Sequence, residues 1–211
     1  MKKKERLIVI LIINYYTLTI MIKKRTVLKL ILGGILIFIM TFAFLLVVPQ
    51  MEKLTGLETI NPEGKSGKVL VVYHPGVSSF QKDVTMSFVR GLVEIDYVVD
   101  ITTPSSKTTT EIANYDLVVL GAPTYGFAPA KPIENYIKRV ADFKEMRIVS
   151  ILTGAGSTDE SVEKMKELIL MTNGRLIKSL PLWSSAPNEE IYGISDAKQI
   201  AYKAGLELEI N

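Results

Sequence analysis

Cysteine is absent from all 211 residues. That excludes disulfides, thiolate metal sites and a cysteine nucleophile, and leaves the redox compartment open. Histidine and tryptophan occur once each, as His74 and Trp183. No zinc-ligand spacing is present, and no Ser–His–Asp set is legible from spacing alone. Basic charge is scarce where a nucleic-acid surface would need it. Residues 67–211 carry fifteen Lys/Arg against eighteen Asp/Glu, a mildly acidic balance that argues against nucleic acid as a partner. The formal charge of +3 comes from residues 1–66, which hold ten Lys/Arg against four Asp/Glu. That excess reads as membrane-flanking charge.

Apolar residues are plentiful, at 48% of the chain. Residues 30–48 contain no charge at all. At about 1.5 Å per residue such a helix nearly crosses a hydrocarbon core of about 30 Å, and Val27 and Leu28 extend it past a Lys29 that can snorkel. The span is therefore expected over about 27–48. A buried core helix and a cleaved signal peptide are the alternatives; the run is long for a signal sequence and lacks a small-residue cleavage site, so a retained anchor over 1–50 is favoured. A second apolar run, 7–22, is interrupted by Asn14-Tyr15-Tyr16. It reads as a first span, an interfacial helix, or sequence upstream of a start at Met21, where Met21-Ile-Lys-Lys-Arg25 resembles an ordinary protein beginning. One span or two decides the side of the membrane on which the domain sits, and the basic flanks do not settle it. Residues 51–67, with Gly56, Asn61-Pro62, Gly64 and Ser66-Gly67, read as a linker.

From residue 68 onward, short apolar runs alternate with helix-patterned segments. Strands are expected at 68–73, 97–101, 116–121, 147–152 and 175–182. Helices are expected at 83–94, with Val84, Phe88, Val89 and Leu92 on one face, and at 130–140, 159–171 and 195–206, with a helical turn near 110–115. This alternation predicts an α/β domain over 68–211, a doubly wound, five-stranded parallel sheet covered on both faces. Ligands of such sheets sit beyond the carboxyl ends of the strands, where strand order reverses. The turns 74–82, 122–129 and 153–158 should share that crevice, and all three are rich in Gly, Ser, Thr and Pro. In the first of them, Gly76 can take a positive φ, Ser78 and Ser79 can donate hydroxyls, and the following helix start favours an anion. That makes a phosphate site, against the alternative of a plain strand-to-helix turn. His74 sits at the mouth of the crevice, where a lone histidine is more often a hydrogen-bonded loop residue than a base. Trp183 and Tyr192 either rim a partner pocket or cap a core edge. Glu163, Lys164, Lys166 and Glu167 read as a solvated helix face.

Several motifs carry a resemblance. Lys68-Val-Leu-Val-Val-Tyr73, Gly121-Ala-Pro-Thr-Tyr-Gly126 with its continuation Phe-Ala-Pro-Ala-Lys-Pro132, and Leu152-Thr-Gly-Ala-Gly-Ser157 are similar to the first, third and fourth strand–loop units of the flavodoxin family. The resemblance spans nearly all of 68–208. It implies strand order 2-1-3-4-5, non-covalently bound flavin mononucleotide (FMN) and electron transfer. The departure is the phosphate loop: where the family carries Ser/Thr-x-Thr-Gly-x-Thr, this chain has Pro75-Gly-Val-Ser-Ser-Phe80.

The resemblance implies that Gly76, Val77, Ser78, Ser79 and Phe80 hold the phosphate. Pro123, Thr124, Tyr125, Gly126 and Phe127 would flank the isoalloxazine, with Tyr125 stacked on it and the Gly126 carbonyl near the flavin N5. Thr153, Gly154, Ala155 and Gly156 would meet the pyrimidine edge. Tyr125 as a surface aromatic and 154–156 as a simple tight turn are the alternatives. The expected function is a membrane-tethered FMN protein passing electrons to a redox partner protein or a membrane quinone. Two rivals stand beside it: an FMN-dependent oxidoreductase acting on quinone or protoporphyrinogen-type substrates, and a flavin-free binding module suggested by the altered loop.

Overall fold

A computed structural model describes residues 3–185 and 188–208. Residues 1–2 of the expected anchor, 186–187 of the loop after the fifth parallel strand, and 209–211 of the domain lie outside the described residues. The chain divides into two compact units, the second beginning at Val48.

The first unit is a single helix, α1 (Lys3–Val47), 45 residues long. Asn14, Tyr15 and Tyr16 do not interrupt it. An unbroken helix contains no turn that could reverse the chain between two spans, so of the readings left open the single span is the one this helix suits. Among the described residues one segment, Lys23–Gln50, is long and apolar enough to cross a membrane by length and composition. Its 28 residues at about 1.5 Å each exceed a hydrocarbon core of about 30 Å. A 3-10 turn, Val48–Gln50, opens the second unit.

The second unit is an α/β fold. Its strands are β1 (Glu58–Ile60), β2 (Lys68–Tyr73), β3 (Val98–Thr102), β4 (Leu117–Tyr125), β5 (Ala128–Pro129), β6 (Arg147–Gly154) and β7 (Arg175–Trp183). Helices α2 (Phe80–Glu94), α3 (Lys131–Val140), α4 (Asp159–Met171), α5 (Glu189–Tyr192) and α6 (Ala197–Leu206) connect or follow them. The sheet runs β1-β3-β2-β4-β6-β7. β3, β2, β4, β6 and β7 are parallel neighbours, so the order 2-1-3-4-5 holds within the parallel core.

The sheet is not five-stranded. β1 adds an antiparallel edge on β3, pairing Glu58 with Ile101 and Ile60 with Val99, and it comes from the stretch expected as linker. The expected loop 122–129 is instead a hairpin, because β4 runs on to Tyr125 and β5 folds back on it. α2 starts three residues earlier than the periodicity indicates, at Phe80, and no helix forms between β3 and β4.

β2 and β4 are buried on both faces, as continuous Val/Leu runs require. One apolar layer joins the sheet to α2 and α6 through Val69, Val71, Phe88, Leu92 and Ala201. The opposite layer joins it to α3 and α4 through Leu70, Leu120, Ile133, Ile137 and Ile169. α2 and α6 approach so closely that a Cβ on Gly91 would press into the Tyr202 carbonyl, and one on Gly205 into the Phe88 carbonyl.

Asp100 on β3 is a buried carboxylate that binds the edge together. It takes Lys68 Nζ at 2.8 Å, the Thr59 hydroxyl at 2.6 Å and the Tyr115 hydroxyl at 2.8 Å. Burial pushes its pKa up, but these three partners outweigh it and hold the carboxyl below its usual range.

Candidate functional site

Parallel strands end together, so the turns after β2, β4 and β6 lie along one rim of the sheet. Tyr73 pairs with Gly121 and Pro123 with Thr153, which places the three turns side by side. The first turn is His74–Ser79; Phe80, expected within it, is already helical and packs partly buried against the core.

Gly76 has φ +73°, a conformation that L side chains rarely adopt. A Cβ there would lie 2.9 Å from the Tyr125 hydroxyl and 3.2 Å from Pro123 Cγ, so the first turn leans directly on the β4–β5 hairpin. Tyr125 Oη accepts the Val77 amide at 3.1 Å, and burial raises its pKa. The ring expected to stack on a flavin therefore also clamps the first turn to the second.

The Gly76 amide donates to His74 Nδ1 at 3.2 Å, which leaves the imidazole proton on Nε2, facing the Met51 carbonyl at 3.0 Å. Both ring nitrogens of this fully buried side chain are engaged. His74 is a structural pin at the base of the turn, not a free base at its mouth. Burial depresses its pKa below 6.5 and the Lys53 ammonium adds to that, while the Met51 carbonyl opposes both.

Past Val77 the turn is open. The amides of Ser78, Ser79, Phe80, Gln81 and Lys82 have no hydrogen-bond acceptor among the described residues; the first helical amide to be satisfied is Asp83, which donates to the Ser79 carbonyl at 2.8 Å. Ser79 is the N-cap residue but makes no side-chain cap; its hydroxyl donates to the Asp83 carboxylate at 3.0 Å. Five amides at this helix start are thus without a protein acceptor among the described residues. The amides of Gly76 and Val77, also expected to serve there, are spent inside the protein.

In the second turn, Gly126 (φ +56°) and Phe127 (φ +62°) form the two-residue tip of the hairpin, with Thr124 opposite Pro129 and Tyr125 opposite Ala128. Two left-handed central residues are the signature of a type I′ turn. Phe127 is 71% exposed. Thr124 Oγ1 is buried with no partner.

In the third turn, Gly154 packs against Thr158, Gly156 has open space where a Cβ would be, and Ala155 lies between them. Thr153 points the other way. Its hydroxyl donates to Gln81 Oε1 at 2.7 Å, and Gln81 Nε2 donates to Thr85 at 3.0 Å, so Thr153 ties β6 to α2. Trp183 Nε1 donates to Thr158 Oγ1 at 3.2 Å and steadies the third turn. Tyr192 bonds the Pro181 carbonyl at 3.1 Å and caps the core. On the helix face expected to be solvated, Lys164 instead reaches the buried Glu134 at 3.1 Å, which Lys131 also holds at 2.8 Å.

The stretch before β1, expected as linker, is bonded to the domain. Residues 50–55 form a strap over the rim. Gln50 Oε1 accepts the Lys131 amide at 2.7 Å and Glu52 accepts the Ser106 amide at 3.0 Å. Lys53 Nζ donates to the Gly76 carbonyl, and Thr103 Oγ1 donates to the Lys53 carbonyl. Thr55 exchanges bonds with Thr103. Nothing in a turn-rich segment announces this, since its bonds run mainly through backbone carbonyls and short hydroxyls. Gln81 was legible: it shares a helix face with Val84, Thr85 and Phe88, where a polar residue must find a buried partner.

No family model matches the sequence, and no curated protein matches it significantly. Solved structures do match the fold. Oxidised flavodoxin 2 from Bacillus cereus aligns over 66% of this chain and 95% of its own at 17% identity and a TM-score of 0.53. The two-electron reduced flavodoxin of Megasphaera elsdenii aligns over 65% and 98% at 15% identity and 0.52. An NAD(P)H:quinone oxidoreductase from Methanothermobacter marburgensis aligns over 69% and 97% at 15% identity and 0.50.

Proposed function

We propose that the second unit binds FMN at this rim and transfers electrons, and that the segment Lys23–Gln50 tethers it to a membrane. The observation that carries the reading is the row of uncommitted amides at Ser78–Lys82, set beside two glycine-bearing turns on one rim. The residues suit the group. The amides and the Ser78 hydroxyl would hold the phosphate, with the α2 dipole favouring its charge. Tyr125, Gly126 and Phe127 on one side and Gly154, Ala155 and Gly156 on the other would bracket the ring. Bound FMN would supply the redox chemistry, and the protein the position and the field. The orphaned Thr124 hydroxyl offers one further polar contact.

The test is titration of the purified full chain in detergent with FMN. Quenched flavin fluorescence with a shifted absorbance is expected, together with weaker binding of riboflavin, which lacks the phosphate. No binding at micromolar FMN overturns the proposal and leaves the flavin-free module ahead. One observation favours that rival: the Gly76 and Val77 amides already have protein acceptors. If FMN binds, turnover with a reduced nicotinamide and a quinone separates an enzyme from a carrier.

A further inference from the structure

The rim carries a run of bare apolar side chains. Met51, Leu54 and Leu57 on and just after the strap, Val77 on the first turn, and Phe127 at the hairpin tip are each more than half exposed. They follow the strand ends in sequence across the sheet. Leu57 precedes β1, which pairs with β3; Leu54 is flanked by residues bonded to Thr103 beyond β3; Met51 and Val77 lie at the end of β2, and Phe127 at the end of β4. Isolated exposed apolar residues need no explanation, but five on one rim mark an interaction surface.

The strap supplies the argument for its occupant. Gln50 is the last residue of the apolar segment able to cross a membrane, and its own side chain is bonded to the rim. Met51, Glu52, Lys53 and Thr55 follow with further bonds to the same rim. The residues that directly follow the bilayer-compatible sequence are thus themselves bonded to the rim. Charge does not select the partner: exposed Lys53, Lys82, Lys107 and Lys131 are matched by Glu52, Glu58, Asp83 and Asp159.

We propose that this rim docks on the lipid bilayer, with Met51, Leu54, Leu57, Val77 and Phe127 entering the headgroup region. The inference rests on the tether proposed above and not on flavin binding. Apolar insertion drives it, so anionic lipid adds little. A flavin held at the rim would then meet electron carriers dissolved in the membrane, such as quinones, in preference to soluble proteins.

The absence of native cysteine makes the test direct. Full-length single-cysteine variants Leu54→Cys, Val77→Cys, Phe127→Cys and Met171→Cys are labelled with a fluorophore and reconstituted into phosphatidylcholine vesicles containing a nitroxide-headgroup lipid. Met171, 80% exposed at the far end of α4, is the control. Quenching at 54, 77 and 127 is expected to exceed that at 171 several-fold. It should change little when phosphatidylserine is added, and should fall at 77 in the Leu54→Asp/Phe127→Asp background. Quenching confined to 54, or equal at 127 and 171, overturns the docking. A chain that does not float with the vesicles overturns tether and docking together. Flavin absorbance of the unlabelled, unsubstituted chain in the same vesicles reports the redox reading separately.

Discussion

Gly76 and Tyr125 make a single contact that joins two turns. Changing Gly76 to Val places carbon within 2.9 Å of the Tyr125 hydroxyl at φ +73°, so both overlap and backbone strain oppose it. A loss of about 1–3 kcal/mol in urea unfolding is expected, with FMN binding lost alongside. Full stability in that variant would show that the turn does not lean on the hairpin. The special backbone at Gly76 was legible, because a glycine after a buried strand in a phosphate-type turn has few other uses. Its hydrogen bonds were not, since they depend on a histidine and a tyrosine distant in sequence. His74 adds a pH dependence. Its folded pKa is depressed, so its stabilisation is complete above the ordinary value of 6.5 and declines as pH falls below it toward the folded pKa, because the unfolded chain then binds the extra proton. The denaturation midpoint should start to drop below about pH 6.5. In His74→Asn, which can still donate and accept, that step should vanish; its persistence would assign the step to another group.

The strap is the element that spacing could not reveal. Strands and helices declare themselves by period, and here the five parallel strands and four main helices were recovered from apolar alternation, with α2 misjudged only at its first turn. A segment such as 50–57 has no period, because it is held by partners along a sheet edge rather than by a face of its own. Thr103 is its main fastening, joined to both Lys53 and Thr55. Thr103→Val removes these bonds at nearly constant volume. About 1–2 kcal/mol of stability should be lost, at roughly 1 kcal/mol per net hydrogen bond. Amide exchange at 51–57 should accelerate while that of β2 and β4 stays slow. Unchanged exchange in the strap would mean that the bonds at Gln50, Met51 and Glu52 suffice. β1 was hidden for a related reason: three residues on an edge are too few to show alternation.

For the molecule as a whole, acid is the condition that separates its polar fastenings from its apolar layers. Asp100 and Glu134 are both nearly inaccessible. Burial raises the pKa of each, but Lys68, Thr59 and Tyr115 around Asp100, and Lys131 and Lys164 around Glu134, outweigh it and leave both below the ordinary 3.8 and 4.5. A depressed carboxyl stabilises fully above its unfolded pKa and loses that contribution as pH falls through the folded one. A second loss of stability is therefore expected below about pH 4, distinct from the His74 step. In Asp100→Asn the acid limb should be shallower, and an unchanged limb would place the titration elsewhere. Charge changes sign between residues 1–66 and 67–211, whereas the two units divide at Val48, because the basic, apolar stretch ends before the charge count does. The hairpin tip has a consequence for durability. An asparagine at position 127 would suit the left-handed backbone there better, and Phe127→Asn should raise the melting temperature by a few degrees, as a gain of about 0.5–1 kcal/mol implies. The chain keeps a benzyl ring at that corner instead, so heat tolerance has been given up there in favour of something the ring touches.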